Sequence, residues 1–596
     1  MKSLISLLKV WPLLTLSACS FAILVERVED LPPLDYDFIV VGGGTAGNVV
    51  ANRLSENPNH SVLILEGGGS HKGIEDIQVP FFGPDLTPFT PWDWNYTTTP
   101  QKGLGGRTVP FQRGFGLGGC SSVNLLAYTR GSSDDYDRYA KVTGDPGWSW
   151  KNVMQYIKRN EKFTPPRDNH NITGQFEPSV HGFKGITAVS LPGYPMHTDN
   201  RVRQVTRELP EEFPYNRDVN AGSPLGIGWA PSMINKGERD SSAASYLADK
   251  YIKRPNLHVL LHAHVVRIHQ TGDSTVGKLS FRTVEFISNG DNALQRLFTA
   301  KKEVILSAGP VGSPFILMHS GIGDAKDLSR FGIKPIINLP SVGRNLSDHP
   351  LTPIVWTVNT TETIEKYSRD PVVAAKVLAE WRTKRTGPLV DTVFNQIGWL
   401  RVKNGGKAFE KNGDPSAGPL APHFGLLFQN GIPGKNPPAG NHFLISSVVL
   451  VPTARGSLVL NSSDPFDKPI IDPKYLGSDL DMFIMREAIR SALRFIEAPA
   501  FKGYLGAGLR NPMTDEELDE FIRTTTTNLH HPIGTAAMSA RNAGFGVVDP
   551  DLKVKGISGL RIVDSSVFPF IPSAPTMAAT YIVGERGSDL IKQSWA

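Results

Sequence analysis

Short apolar runs dominate the first part of the chain. Tyr36 to Val41 forms one such run and is followed by glycine, and Ser61 to Leu65 forms a second run that ends at Glu66. Between them, Val50 and Leu54 are spaced as one face of a helix. An uninterrupted apolar run is typical of a strand that is buried on both faces. The pattern therefore predicts a strand, a helix and a second strand in succession.

The later part of the chain shows a different pattern. The stretch HFLISSVVLVPTARGSLVLNSS, which starts at His442, mixes apolar runs with alternation, as strands of an antiparallel sheet do. Residues 479–498 have the spacing of a long amphipathic helix, and Thr514 with Glu517 forms a capping box at the start of another helix. The stretch KEVILSAG, which starts at Lys302, predicts a further buried strand.

The glycines between the first two predicted strands suggest a nucleotide site. Gly42, Gly44 and Gly47 follow the spacing G-x-G-x-x-G, and Glu66 ends the next strand. The first glycine allows a tight turn, the second lets the backbone approach a pyrophosphate, and the third lets helix and strand pack closely. The helix N-terminus favours the phosphate charge, and the acid can accept a hydrogen bond from a ribose hydroxyl. The fingerprint alone does not separate NAD from FAD.

Length and composition place the chain among globular proteins. Its 596 residues are enough for two or more domains, or for one two-lobed unit. Apolar residues make up 40% and charged residues 20%, which are ordinary values for a protein with a sizeable core. The formal net charge is +5, and the sequence has no basic run with interleaved aromatic residues. Nucleic acid is therefore not an expected partner.

The N-terminus predicts export. A lysine precedes an apolar run and then small residues, which is the pattern of a secretory signal peptide over residues 1–20, with cleavage after Ser20 or Ala22. The run is too short to span a bilayer. An alternative is a bacterial lipoprotein signal that is acylated at Cys19. After cleavage Cys120 is the remaining cysteine, so no intrachain disulfide is expected.

Six N-glycosylation sequons accompany this leader, and together they favour a secreted glycoprotein. The sequons begin at Asn59, Asn95, Asn171, Asn345, Asn359 and Asn461.

Two longer motifs suggest a family. RGFGLGGCSSVNLLAYTRG, residues 113–131, and GPVGSPFILMHSGIG, residues 309–323, resemble the two signatures of the glucose–methanol–choline (GMC) oxidoreductases, which bind FAD. VGRNLSDHP and GLRIVDSSVFP are further matches, and the resemblance runs from Tyr36 to near the C-terminus. The leader, the sequons and the stretch NYTTTPQ resemble the secreted insect and fungal branches, with insect-type glucose dehydrogenase-like and aryl alcohol oxidase-like enzymes as the expected relatives.

The resemblance implies where FAD binds, and it implies no metal. Val123 stands where some members carry a histidine bonded covalently to FAD, so the flavin is expected to be non-covalent. The FAD-binding residues implied by the resemblance are Gly42, Gly44, Thr45, Ala46, Gly47, Glu66, Gly118, Gly119, Ser121, Asn124, Leu125, Leu126, Ala127, Val265, Asp564 and Thr576.

The expected fold class is mixed α/β. The resemblance implies a discontinuous, Rossmann-type FAD-binding domain over residues 36–160, 237–345 and 547–592. It also implies a substrate-binding domain over residues 346–540, built on an antiparallel sheet.

The adjacent histidines of NLHHPIGTAAM are the candidates for catalysis. In the family pattern H-x-x-G-T-x-x-M, the histidine before proline lies over the flavin, and His531 is in that register. A neutral imidazole with a pKa near 6.5 can take the hydroxyl proton of an alcohol. If the stretch is extended, neighbouring side chains point to opposite sides. His530 is then expected to face away from the flavin.

One position departs from the family pattern. Pro575 occupies the place where a second histidine or asparagine usually helps to hold the substrate oxygen, and proline offers no side-chain donor or acceptor. It also suits the start of the final helix, predicted over residues 576–592.

The expected function is a secreted FAD-dependent oxidoreductase that oxidises a primary alcohol, aryl or allylic by preference, with oxygen or a quinone as electron acceptor. Three alternatives stay open. These are a glucose dehydrogenase-like enzyme that uses a quinone, a weak or inactive flavin-binding paralogue, and a lyase on the same fold.

Overall fold

The computed structural model describes residues 23–275, 278–288, 295–403 and 406–596. The predicted signal peptide lies outside this part of the chain. Over the described residues, none of the helices is both long enough and apolar enough to cross a membrane. The α-helices described are Gly47–Leu54, Glu75–Gln78, Ser133–Thr143, Trp150–Asn160, Asp199–Glu208, Ser242–Tyr246, Asp249–Ile252, Gly309–His319, Ala325–Arg330, Lys366–Arg369, Pro371–Lys384, Gly406–Asn412, Asp479–Ile496, Asp515–Thr525 and Met577–Ser594.

A six-stranded parallel sheet organises the first lobe. The predicted strand Phe38–Val41 is central, with Val62–Leu65 on one side and Glu303–Leu306 on the other. All of its residues are buried, as its uninterrupted apolar run predicts. The strand order reverses here, and in parallel sheets the carboxyl end of the strand at such a reversal is where ligands bind. In spatial order the strands are Ile23–Val25, Leu257–Leu260, Val62–Leu65, Phe38–Val41, Glu303–Leu306 and Leu560–Ile562.

An antiparallel sheet organises the second lobe. The predicted strand at His442 is confirmed as His442–Val449, which pairs with Pro350–Val358 and with Phe424–Gln429. The edge strand Gly226–Trp229 comes from a part of the chain far upstream. In spatial order the sheet contains Leu505–Gly508, Pro350–Val358, His442–Val449, Phe424–Gln429, Gln396–Leu400 and Gly226–Trp229, and Thr527–Asn528 also pairs with Pro350–Val358.

Smaller sheets complete the framework. Ala263–Thr275, Lys278–Ser288 and Gln295–Thr299 form an antiparallel sheet that Ile557–Ser558 also joins. A three-stranded sheet contains Arg344–Leu346, Gly456–Val459 and Ile470–Asp472. The remaining described strands form pairs: Tyr96–Thr97 with Pro110–Phe111, Glu161–Phe163 with Thr187–Val189, Ile234–Asn235 with Glu238–Arg239, and Ile322–Gly323 with Ile337–Asn338.

The predicted helices of the second lobe form as the sequence indicates. The amphipathic pattern over residues 479–498 becomes the helix Asp479–Ile496, whose apolar face is buried. The capping box is confirmed, because the Glu517 amide donates to the Thr514 hydroxyl at 3.2 Å and the Thr514 amide donates to the Glu517 carboxylate at 2.8 Å.

The final helix, Met577–Ser594, returns to the first lobe. Its fully buried Glu585 binds Arg53 at 2.7 Å and Arg159 at 2.5 Å. Arg53 belongs to the helix that follows the glycine loop. The final helix is therefore fixed against the helix Gly47–Leu54, which follows the glycine loop.

Candidate active site

One large cavity, of about 990 Å³, lies between the two lobes. Its wall includes the glycine loop at the carboxyl end of the central parallel strand, and it also includes both histidines of the HHP stretch. Its volume is at the upper end of the range that ligand pockets span.

The three glycines of the fingerprint have separate geometric roles. Gly42 has φ +96°, and a Cβ there would lie 2.6 Å from the Ser307 carbonyl oxygen. A Cβ on Gly47 would lie 2.0 Å from the Gly42 carbonyl oxygen, so this glycine permits the close packing of helix on strand. A Cβ on Gly44 would meet nothing closer than the Ser307 oxygen at 3.8 Å. Gly44 therefore leaves backbone open to the cavity, whereas Gly47 lies behind the wall.

Glu66 lines the same end of the cavity and is almost fully buried. Its carboxylate accepts hydrogen bonds from the amides of Gly43, at 2.8 Å, and Gly68, at 2.9 Å. Burial raises the pKa of Glu66, and the backbone hydrogen bonds act in the opposite direction. Glu66 borders the cavity, which is where the acid of the dinucleotide fingerprint would meet a ribose hydroxyl.

The glycine-rich loop after residue 117 forms the next part of the wall. Gly118 has φ +94°, and its amide donates to the Gly43 carbonyl at 2.7 Å, which ties the two glycine loops together. Ser121 is buried behind the loop, where its hydroxyl donates to the Gly118 carbonyl at 2.7 Å. Gly118 and Ser121 thus support the wall from behind. The predicted residues of this loop that border the cavity are Gly119, Asn124, Leu125, Leu126 and Ala127.

The C-terminal segment closes the cavity on another side. Asp564 is buried, and its carboxylate accepts from the Gly309 amide at 2.9 Å and from the Ser313 hydroxyl at 2.6 Å. Burial raises its pKa. Thr576 is the N-cap of the final helix, which begins one residue later than the sequence predicts, and Pro575 precedes it in the wall. The other predicted residues that border the cavity are Gly42, Thr45, Ala46 and Val265.

The backbone at His530 differs from the extended stretch on which the sequence prediction for this residue depended. Both His530 and His531 line the cavity. His530 has φ +61°, so the stretch is not extended and the alternation of neighbouring side chains does not apply. Its carbonyl accepts a hydrogen bond from the Arg113 guanidinium at 2.5 Å. Within the described part of the chain, its Nδ1 is buried without a hydrogen-bond partner.

His531 contacts a third histidine that the sequence analysis did not single out. The Nδ1 atoms of His531 and His349 lie 3.0 Å apart, and Nε2 of His349 lies 3.2 Å from the Leu450 carbonyl oxygen. Burial lowers the pKa of His349 to about 3 and the pKa of His531 well below 6.5. Both rings are therefore neutral at neutral pH. The sequence feature that could have indicated His349 is the Asp-His pair of NLSDHP, which lies directly before a strand.

A buried carboxylate fixes the backbone of this histidine pair. Asp348 accepts from the amide of His531 at 2.6 Å and from the amide of His349 at 2.8 Å. Tyr475 donates its hydroxyl to the other carboxylate oxygen at 2.5 Å. Burial raises the pKa of Asp348 to about 6. These bonds hold the backbones of two residues that lie 182 positions apart in the sequence.

The wall beside the histidines is largely apolar. Phe394, Trp399 and Leu427, on strands of the antiparallel sheet or next to them, line the cavity. They belong to one hydrophobic cluster, against which Leu125 and Leu529 pack. Leu529 precedes the two histidines directly, so the apolar wall is continuous with the candidate base.

Models for the GMC oxidoreductase family match residues 36–351 and 452–584. The chain belongs to the GMC oxidoreductase family. Like its relatives, this GMC oxidoreductase is an FAD-dependent enzyme that acts on CH–OH donors. The open backbone at Gly44, the adjacent helix N-terminus and Glu66 fit a dinucleotide of this kind.

Individual relatives cover nearly the whole GMC chain. Pyranose dehydrogenase 3 of Leucoagaricus meleagris is 41% identical over 96% of each chain, and dehydrogenase eriK of Hericium erinaceus is 38% identical over 98% of each. Among solved structures, a formate oxidase variant of Aspergillus oryzae has a TM-score of 0.85 at 29% identity, covering 95% of this chain and 99% of its own. A fungal aryl-alcohol oxidase has a TM-score of 0.81 at 26% identity, covering 94% and 99%. These relatives are fungal and give no support to the expected insect-type subfamily.

Proposed function

We propose that the chain is a secreted alcohol oxidoreductase in which His531 takes the hydroxyl proton of the substrate. The observation that carries this proposal is the shared cavity wall, where His531 borders the same space as Asn124, Thr576 and the glycine loop. When bound there, FAD supplies the acceptor for the hydride that leaves the carbinol carbon. The base must therefore border the space that also receives the cofactor, and the position of His531 in the cavity wall supports that role.

His531 is neutral, which is the form that a base requires before it takes a proton. Burial keeps its pKa well below 6.5, so its ring is neutral at working pH and has a nitrogen lone pair available. Its backbone is fixed by Asp348 and its ring contacts His349, so its position in the wall is held before substrate arrives. A positioned base of this kind usually contributes about 100-fold or more to the rate.

His530 is proposed as the second polar group for the substrate oxygen. Pro575 lines the cavity but has no side-chain donor or acceptor. His530 lines it as well, and an imidazole ring can donate or accept a hydrogen bond. Its ring would take the place of the missing family partner. This assignment replaces the expectation that His530 faces away.

The apolar wall supports an aryl or other apolar primary alcohol as the substrate. Phe394, Trp399, Leu427 and Leu529 offer hydrophobic surface to a ring or chain next to the histidines. A sugar has a hydroxyl on most of its carbons, and each hydroxyl that such a wall leaves without a partner costs binding energy.

Oxidation of a pyranose is the second candidate. It is supported by the 41% identity to a pyranose dehydrogenase over 96% of each chain. The cavity also contains polar side chains that could bind sugar hydroxyls, among them Thr87, Gln112 and Asn124.

An anaerobic substrate panel tests these proposals. The holoenzyme is mixed with benzyl-type alcohols or with D-glucose, and loss of flavin absorbance is followed. Faster bleaching by the aryl alcohols supports the first candidate, and faster bleaching by glucose supports the second. If no member of either class bleaches the flavin, the inactive paralogue or the lyase alternative is favoured. Reoxidation of the reduced enzyme by oxygen or by benzoquinone then identifies the electron acceptor.

Secretion and glycosylation are part of the proposal. Four of the six sequon asparagines are exposed, whereas Asn95 and Asn345 are partly buried. The Asn345 amide nitrogen donates to the Pro569 carbonyl at 3.2 Å, a bond that a glycan would disturb. Glycosidase treatment of the secreted protein should lower its mass, with glycan on the exposed asparagines and none on Asn345. The exposed sequons are Asn59, Asn171, Asn359 and Asn461.

A further inference from the structure

His349 is fully buried behind His531 at the start of the strand Pro350–Val358. The two imidazole rings meet edge to face, with centroids 5.2 Å apart and an interplanar angle of 84°. One ring nitrogen of His349 faces His531 and the other faces the Leu450 carbonyl. His349 therefore acts on the chemistry only through His531.

The Leu450 carbonyl determines where the His349 proton lies. A carbonyl oxygen can only accept, so the 3.2 Å contact requires a hydrogen on Nε2 of His349. Burial lowers the pKa of His349 to about 3, so the neutral ring carries no second hydrogen. Its Nδ1 is then a bare acceptor.

The unprotonated Nδ1 of His349 in turn determines the tautomer of His531. Its Nδ1 lies 3.0 Å from the bare Nδ1 of His349, which is hydrogen-bond distance. The contact is favourable only if His531 carries its hydrogen on Nδ1, because the opposite tautomer would set two lone pairs against each other in a buried place. Nε2 of His531 is then the unprotonated nitrogen available to the cavity.

We propose that His349 is a positioning residue that fixes the tautomer of His531, with Nδ1 protonated and Nε2 free to take the substrate proton. This inference rests on the proposed role of His531 as the base. The hydroxyl O–H bond breaks, an Nε2–H bond forms, and His349 keeps its own proton throughout. The Nδ1–H bond to His349 becomes charge-assisted when His531 is an imidazolium, so it strengthens during the proton transfer.

The test compares two substitutions, His349→Asn and His349→Leu. The asparagine and leucine side chains have nearly the same shape as each other. Asparagine can present an acceptor oxygen near the position of Nδ1, whereas leucine cannot. Flavin reduction is followed in the holoenzyme, without oxygen, at saturating concentrations of the best alcohol from the panel. His349→Leu should slow reduction about tenfold, the scale for losing one buried hydrogen bond. His349→Asn should recover most of that loss, and the dissociation constant for the alcohol should change little in either.

The outcomes separate this inference from the proposed function. Equal rates in the two variants at matched flavin content and melting temperature would refute the tautomer role. His531→Ala in the same assay is the reference. If His531→Ala reduces flavin as fast as the wild type, the proposed base fails. If His531→Ala is slow while His349→Leu is unaffected, only the present inference fails.

A second measurement does not depend on the folding of variants. Wild-type holoenzyme with ¹⁵N-labelled histidine is studied by NMR, and the His531 signals are assigned by their loss in His531→Ala. The inference requires a protonated Nδ1 and an unprotonated Nε2 in His531 at neutral pH. The reverse pattern would overturn it.

Discussion

The substitutions Gly44→Ala and Gly47→Ala separate cofactor contact from packing within one six-residue motif. A methyl group at Gly44 would meet no protein atom closer than 3.8 Å, so the folded chain can accommodate it. The same group at Gly47 would lie 2.0 Å from the Gly42 carbonyl oxygen, which is backbone and cannot swing away. Gly44→Ala should therefore change the binding of FAD in the cavity, whereas Gly47→Ala should change the stability of the fold.

The expected magnitudes follow from these distances. The Gly44 methyl takes space where the pyrophosphate is expected, and moving the phosphate back loses backbone N–H contacts. Each hydrogen bond to a charged group contributes about 1.5–3 kcal/mol, so the loss of one or two should weaken FAD binding about 100-fold. The free energy of unfolding of the apoprotein should change by less than about 1 kcal/mol. For Gly47→Ala it should fall by about 1–3 kcal/mol or more, the usual range for overpacking.

The assay is titration of apoprotein with FAD, followed by flavin fluorescence, together with denaturant unfolding of each apoprotein. Gly272→Ala is the matched control, because a Cβ there would meet nothing within 4 Å and the residue is exposed. If Gly44→Ala binds FAD as tightly as the wild type, the cofactor does not approach that backbone. If Gly47→Ala keeps its unfolding free energy but loses FAD, Gly47 contacts the cofactor directly and the packing explanation is wrong.

Three further predictions concern the histidines and the flavin. His531→Ala should slow anaerobic flavin reduction about 100-fold, whereas His530→Ala should mainly weaken alcohol binding; the opposite order would place the base at His530. Acid precipitation should leave FAD in the supernatant because Val123 cannot bond to it, and flavin in the pellet would contradict this. Although burial opposes its charge, hydrogen bonds to Asp218 and Glu161 raise the pKa of His181. The stabilisation by His181 should therefore be complete below about pH 6.5 and disappear as pH rises through the raised value. Melting temperatures of the wild type and His181→Leu should converge with rising pH, and divergence would refute the assignment.

Elements that depend on local pattern could be predicted from the sequence. The buried strand Phe38–Val41, the glycine turn at Gly42 and the capping box of Thr514 with Glu517 all follow from a few consecutive residues. Their physical causes, namely uninterrupted apolar runs, backbone freedom and short-range hydrogen bonds, are local.

Features that depend on distant contacts could not be predicted in this way. The orientation of His530 follows from a left-handed backbone conformation and a bond from Arg113, which is 417 residues away. The role of His349 follows from its contacts with His531 and Leu450. The strand Gly226–Trp229 joins a sheet whose other strands lie far along the chain. Such pairings depend on tertiary packing, which sequence periodicity does not record.

The parallel sheet has a consequence for how the protein is made. Its central strand Phe38–Val41 and its edge strand Leu560–Ile562 both pair with Glu303–Leu306, although more than 500 residues separate them. Asp564 and Thr576 complete the cavity only after that edge strand has been synthesised. During synthesis on the ribosome, the site at the early glycine loop therefore stays incomplete until the strand Leu560–Ile562 has been made. The formation of contacts between residues so far apart in the sequence is slow. During that interval unpaired strand edges are exposed, so productive folding should depend on chaperones and on FAD supply. Aggregation of the unfinished chain, and not the stability of the native protein, should then limit the yield of recombinant protein.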